Sequence, residues 1–227
     1  MKSAIRLLVV AWLLPMASTA QEVPSQRLTE VLPPEVAAQV LDHIESARQQ
    51  GLPVNAMANH ALEGVAKGRS ATEVLASVEL LVADMGRARE ALQTAQREHG
   101  AGEIEAATAA MRMGVDGDDI SALASSQPSG RTLAVPLLVV GGLVQRGLPS
   151  DDALAAVQSR LAAGLDDAAL LGDFPEVGQA LTQGLRPDQI GTALASGFAG
   201  FQVPVSDLTV PVGQTGPSGR GGGPGGF

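Results

Sequence analysis

Between residue 34 and about residue 202, apolar side chains recur every three or four positions. This spacing places them along one face of an α-helix. The first run contains Val36, Val40 and Ile44, and the longest extends from Ala71 to about Arg97 without a clear stop. The pattern predicts an all-α protein whose helical domain spans residues 34–202.

Glycine-centred stretches separate these runs. Glycine adopts the left-handed conformation that ends a helix, and an apolar residue after it can pack back onto that helix. Proline, serine or aspartate then favours a new helix N-terminus, and Ser70 with Glu73 has the spacing of a capping box. We therefore predict helix hairpins laid side by side, punctuated at Gly51, Gly68, Gly114, Gly147, Gly164 and Gly184.

The spacing of these glycines is uneven, which favours a degenerate helix-hairpin repeat array, either α-solenoid-like or an irregular bundle. Leu133 to Val144 is apolar on every side and predicts a buried central helix, too short to span a bilayer. Arg87 to Glu98, the second half of the long run, is strongly charged and predicts a helix that projects partly into solvent. Further on, Leu170 to Leu181 is predicted to form one or two short helices, with Pro175 restarting the chain.

The N-terminus has the features of a secretory signal. Lys2 and Arg6 precede an apolar run from Leu7 to Leu14, and Ser18-Thr19-Ala20 offers a small-residue cleavage site. The apolar run is shorter than the ~20 residues of a membrane span. Residues 1–20 are therefore predicted to be a signal peptide cleaved after Ala20, which makes the mature chain periplasmic or secreted.

Two further segments differ in amino-acid composition from the helical runs. Residues 21–33 are polar, contain Pro24 and Pro33, and predict an extended lead-in. Residues 203–227 are rich in Pro and Gly and cannot bury enough apolar area to offset the entropy of ordering them. We expect a flexible, disordered C-terminal tail.

Composition excludes several classes of function. The 227 residues contain no Cys, so disulfides, thiolate zinc sites and cysteine nucleophiles are absent. The formal net charge is −9, and loss of Lys2 and Arg6 with the signal peptide would make it −11. Long-range repulsion then opposes binding to nucleic acid or anionic lipid. We expect no nucleic-acid partner and no membrane span in the mature chain.

The sequence offers little catalytic chemistry. Asp116-Gly117-Asp118-Asp119 resembles the start of a calcium loop, but Ile120 and Gln127 occupy positions where that loop needs ligands. We interpret it as an acidic helix N-terminus. His60 and Glu63 share a helix face, but one such pair cannot fill a carboxylate-bridged metal site. We assign no catalytic, cofactor-binding or metal-binding residue and expect no cofactor.

The leading functional hypothesis is a non-enzymatic binding or scaffolding protein of the bacterial cell envelope whose partner is a protein. The alternative is an enzyme or small-ligand-binding protein whose polar residues converge only in three dimensions. A purely structural secreted component is a third reading. A closed pocket lined by His43, His60 and several acids would favour the alternative, whereas an open face with exposed Leu or Met would favour the binding protein. The methionines at positions 57, 85, 111 and 113 are expected in the core.

Overall fold

The computed structural model describes residues 22–96 and 98–196. These residues form ten α-helices and no strand, which confirms the all-α prediction. The predicted signal peptide and the predicted tail lie outside them. The helices are α1 (Glu22–Val31), α2 (Pro34–Gln49), α3 (Val54–Ala66), α4 (Ala71–Thr94), α5 (Ala101–Arg112), α6 (Gly117–Ser126), α7 (Ala134–Gln145), α8 (Ser150–Ala162), α9 (Asp167–Thr182) and α10 (Pro187–Ala195).

The predicted glycine turns at the helix ends are confirmed. All six glycines have positive φ, between +71° at Gly51 and +101° at Gly114. At Gly147 the N–H of Leu148 donates to Leu143 O at 3.2 Å, the long hydrogen bond of a Schellman motif. Leu148 is buried against the helix that it follows. The capping box of Ser70 and Glu73 at the start of α4 is also present.

The extended lead-in at 21–33 was wrong, because α1 occupies Glu22–Val31. Pro24 lies in the first turn of this helix, where a missing N–H removes no intrahelical bond. Leu28 and Leu32 are buried, and α1 packs against α2 and α3. Burial of these two leucines makes the segment the first helix of the fold.

The second half of α4 does not project into solvent as the charge pattern predicted. Ala88, Ala91 and Leu92 are buried, and α4 packs against both α5 and α6. The hydroxyl of Ser121 on α6 donates to Ala91 O at 2.7 Å. Small alanines form the buried face here, so the exposed charges dominate the sequence pattern.

The apolar helix α7 is central, as predicted. Leu137, Val139, Val140 and Leu143 are almost fully buried, and α7 packs against α5, α8 and α9. The predicted break at Pro175 was wrong, because α9 continues through it. Pro175 is exposed, and so is Leu171, whose carbonyl would accept the hydrogen bond that proline cannot donate. Water can donate to this carbonyl instead.

Helices pack in chain order. Among the described residues, every pair of helices in substantial contact is adjacent in sequence or separated by one helix. Examples are α2 with α4, α5 with α7 and α8 with α10. The core is consequently continuous from helix to helix, and each part of it is built from segments that are close in the chain.

Candidate functional site

The structure separates the histidines that the sequence singled out. His43 Nε2 lies 3.2 Å from Glu79 Oε1, between α2 and α4. His60 lines a different cleft, described below. Among the described residues, no group of three or more His, Asp or Glu side chains is arranged to hold a metal ion.

The acidic stretch Asp116 to Asp119 begins α6, as predicted. Asp116 is the N-cap residue, and Asp118 and Asp119 lie in the first turn, where negative charge complements the helix dipole. The hydroxyl of Ser150, at the start of α8, donates to Asp119. These acids therefore have a structural role that also links two helices.

A cleft of about 280 Å³ opens between α3, α4 and α5, and we call it the α3–α5 cleft. Leu81 and Met85 of α4 are buried beneath it and give it an apolar floor. Of the four methionines predicted to lie in the core, Met57 and Met85 are buried, whereas Met111 and Met113 are only half-buried. The cleft is lined by Ala56, Asn59, His60, Glu63, Leu81, Met85, Glu105, Thr108, Ala109 and Arg112.

Arg112 is held in this cleft by Asp84, which is only 6% exposed. Arg112 Nε donates to Asp84 Oδ2 at 2.8 Å, and Arg87 Nη2 donates to the other carboxylate oxygen at 2.6 Å. Burial alone would raise the pKa of Asp84, but the two arginines outweigh it and lower that pKa. The ionised carboxylate thus fixes the guanidinium through Nε, and no described residue accepts from its two Nη groups.

His60 is half-buried on α3, beside this guanidinium. Burial lowers the pKa of His60, and Arg112 lowers it further. Glu63 opposes these effects, whereas Arg69 and Lys67 add to them. The imidazole is therefore neutral at pH 7, with one ring nitrogen able to donate and the other to accept.

Two carboxylates lie at the rim of the cleft, and they differ. Glu63 accepts a hydrogen bond from Lys67, which lowers the pKa of Glu63. Glu105 is exposed and forms no ion pair with any residue that the structure describes. The hydroxyl of Thr108 is occupied, because it donates to Ile104 O at 2.7 Å. Donors at Arg112, a neutral imidazole and one unpaired carboxylate consequently face the same cleft.

The sequence identified His60 with Glu63 but missed Asp84, Arg112 and Glu105. These three side chains come from α4 and α5 and meet α3 only through tertiary packing. One signal was available, because Asp84 lies on the apolar face of α4 beside Leu81 and Met85. A charged residue on a buried face is expected to be paired.

A second surface is apolar, and we call it the α7–α9 face, formed by Leu138, Leu171 and Phe174. Leu138 and Leu171 are 40% and 46% exposed. The Phe174 ring covers Gly142 so closely that a Cβ there would lie 2.7 Å from two ring atoms. Leu138 is one turn from Gly142, and Leu171 is one turn from Phe174, so both leucines flank this helix contact.

The chain matches no known protein family, no curated protein and no solved structure. Within residues 22–96 and 98–196, no helix combines the length and the hydrophobicity needed to cross a bilayer.

Proposed function

We propose that the protein is a non-enzymatic binding or scaffolding protein, exported to the bacterial cell envelope, and that it binds another protein through the α7–α9 face. The observation that carries this proposal is the exposure of Leu138 and Leu171 on two helices that pack together. Isolated exposed leucines are ordinary on soluble proteins, whereas a group of them on adjoining helices is typical of an interaction surface.

The order of helix packing supports a scaffold. In repeat arrays each unit contacts only its near neighbours in the chain, and the stacked units present long continuous faces. The described helices of this protein also make substantial contact only with near neighbours in the chain. The helix hairpins ended by positive-φ glycines fit this interpretation. A degenerate repeat array is therefore part of the proposal.

Export is supported by the basic start, the apolar run and the small residues before Gln21. Cleavage after Ala20 would leave all ten described helices intact, since α1 begins at Glu22. Intact mass measurement of the protein from the periplasm or medium should give a chain that begins at Gln21. A full-length chain retained in the cytoplasm would contradict the export proposal.

The binding proposal is tested by placing a photo-crosslinking amino acid at position 138 or 171 in cells that export the protein. Exposed positions 122 on α6 and 162 on α8 serve as controls. We expect one shared crosslinked protein from positions 138 and 171 and none from the controls. Leu171→Asp should abolish the crosslink from position 138 while circular dichroism stays unchanged. Crosslinking that is equal at all four positions, or unaffected by Leu171→Asp, would reject the α7–α9 face.

A small-ligand-binding protein is the second candidate, and the α3–α5 cleft is the observation that favours it. His60 and several charged groups converge there, although His43 does not join them. The two candidates use different helices and different ligand chemistry, so each is tested separately.

A further inference from the structure

The polar groups of the α3–α5 cleft are arranged around an arginine that is already oriented. Asp84 holds Arg112 through Nε alone, and the side chain of Arg112 remains 40% exposed. A guanidinium fixed in this way loses little conformational freedom when its Nη groups bind a carboxylate. The neutral His60 and the amide of Asn59 line the same cleft and add donors without adding charge.

The charges of the cleft have both signs. Lys67 pairs with Glu63, and Asp84 is shared by two arginines, so Glu105 is the carboxylate that faces the cleft without an ion pair among the described residues. Glu105 and Arg112 are seven positions apart on α5 and therefore lie on one helix face, about 10 Å apart along the axis. Both side chains line the same cleft, so a compact molecule that carries both charges can form a charge-assisted hydrogen bond with each of them.

We propose that the α3–α5 cleft binds a small zwitterion of the free α-amino acid type, with its carboxylate on Arg112 and His60 and its ammonium group on Glu105. The floor of Leu81 and Met85 accommodates a short apolar side chain. A simple anion would face repulsion from Glu105, and a simple cation would face repulsion from Arg112. This site does not depend on the proposed protein-binding function, because it uses α3, α4 and α5 and leaves the α7–α9 face untouched.

The three histidines of the chain make a direct test available. The imidazole proton signals of His43, His60 and His99 are followed by NMR, with His60→Gln used only to assign the His60 signal. Separate titrations use L-alanine, sodium acetate and ethylammonium chloride at constant pH and ionic strength. We expect a saturable shift of the His60 signal with alanine, a smaller shift with acetate and none with ethylammonium. The His43 signal, which reports the distant pair with Glu79, should not move.

Matched variants separate the two halves of the site. Glu105→Gln should weaken alanine binding about tenfold through loss of a charge-assisted hydrogen bond. Glu90→Gln, at an exposed position of α4 outside the cleft, should leave it unchanged. Both positions are exposed, so both variants should retain the helical circular dichroism signal of the parent.

Three results would overturn the assignment. The first is the absence of any saturable His60 shift with alanine in the parent protein. The second is an equal affinity for acetate and alanine, which would remove the role of Glu105. The third is equal weakening by Glu105→Gln and Glu90→Gln, which would show that net charge alone changes the signal.

Discussion

At the scale of single residues, the effect of positive φ on stability at the turn glycines can be measured separately from the effect of packing. Gly164 has φ +82°, and no heavy atom lies within 4 Å of where its Cβ would be. Gly164→Val should therefore lower the free energy of unfolding by more than about 1 kcal/mol, because a β-branched residue resists positive φ. Urea denaturation measures this change.

Gly172 provides the matched control for that substitution. It lies within α9 at ordinary helical φ, and a Cβ there would also meet nothing within 4 Å. Gly172→Val should be neutral or slightly stabilising, since valine has a higher helix propensity than glycine. Equal losses at positions 164 and 172 would show that the turn conformation is not the cause.

Asp84 makes the stability of the folded protein depend on pH. Its pKa lies below the usual value in the folded protein, so its stabilising effect is complete above the ordinary carboxyl pKa and is lost as the pH falls toward the folded value. Asp84→Asn should destabilise the protein by about 2 kcal/mol at pH 7, because two hydrogen bonds to arginine lose their charged acceptor. The difference between the two proteins should shrink on acidification.

The pH dependence of stability must be compared between the parent and Asp84→Asn, because the pKa of another buried carboxylate is shifted in the opposite direction. Burial raises the pKa of Asp173, which lies 3.1 Å from Arg160, although that arginine partly offsets the effect. Its contribution to stability therefore falls as the pH rises. Asp173 is present in both proteins, so denaturation at several pH values isolates Asp84. A difference independent of pH would contradict the assigned role.

Residue-scale features were predictable from sequence when the interaction was local. The positive-φ glycines and the box of Ser70 and Glu73 depend on residues within one or two turns. The ion pair of Asp84 with Arg112 joins positions 28 apart and requires α4 and α5 to be packed already. The α3–α5 cleft was hidden from sequence reasoning for this reason.

At the scale of helices, two glycines allow α7 to approach its neighbours on both sides. A Cβ at Gly141 would lie 3.0 Å from the Ala110 backbone of α5, and one at Gly142 would lie 2.7 Å from the Phe174 ring of α9. The Arg146 guanidinium lies 4.5 Å from the same ring centroid. Close helix approach through small residues compensates for a core that contains few aromatic side chains.

This contact predicts that Gly142→Ala lowers the free energy of unfolding by about 2 kcal/mol through overpacking. Combining it with Phe174→Leu should cost less than the sum of the two single changes, because the smaller side chain relieves the clash. A double-mutant cycle by urea denaturation measures the coupling. Gly178→Ala in α9, where a Cβ would meet nothing within 4 Å, is the control, and additive losses would rule out the contact as the cause.

Helix-scale predictions failed where packing overrode local preference. The extended lead-in was wrong because burial of Leu28 and Leu32 outweighs the prolines around them. Pro175 did not divide α9, and both it and Leu171, whose carbonyl would accept the hydrogen bond that proline cannot donate, are exposed to water. The contacts that decide the first case are with other helices, and the exposure that permits the second depends on which face of α9 the other helices cover. A single run of sequence contains neither.

At the scale of the whole molecule, each described helix makes substantial contact only with its near neighbours in the chain. The stability of each part of the core therefore depends on a few helices that are close in sequence. The sequence predicted most of the helices and their glycine turns but not which helix pairs pack, because similar Ala- and Leu-rich faces can pair in several ways. The same property allows the contribution of the C-terminal segments to stability to be tested by truncation. Residues beyond the last helix can be removed without breaking a contact between the described helices.

Deletion of residues 203–227 should therefore leave the melting temperature within about 2 °C of the parent, because all ten described helices are retained. Deletion of residues 187–227 is the informative comparison, since it also removes α10, whose Ile190 and Leu194 are fully buried and which packs against α8. The longer deletion should lower the melting temperature by many degrees, because it exposes the α8 surface that α10 covers. Thermal denaturation followed by circular dichroism distinguishes the two truncations. A large drop on the shorter deletion would mean that residues 203–227 stabilise the helical domain by docking against it, contrary to the expected flexible tail.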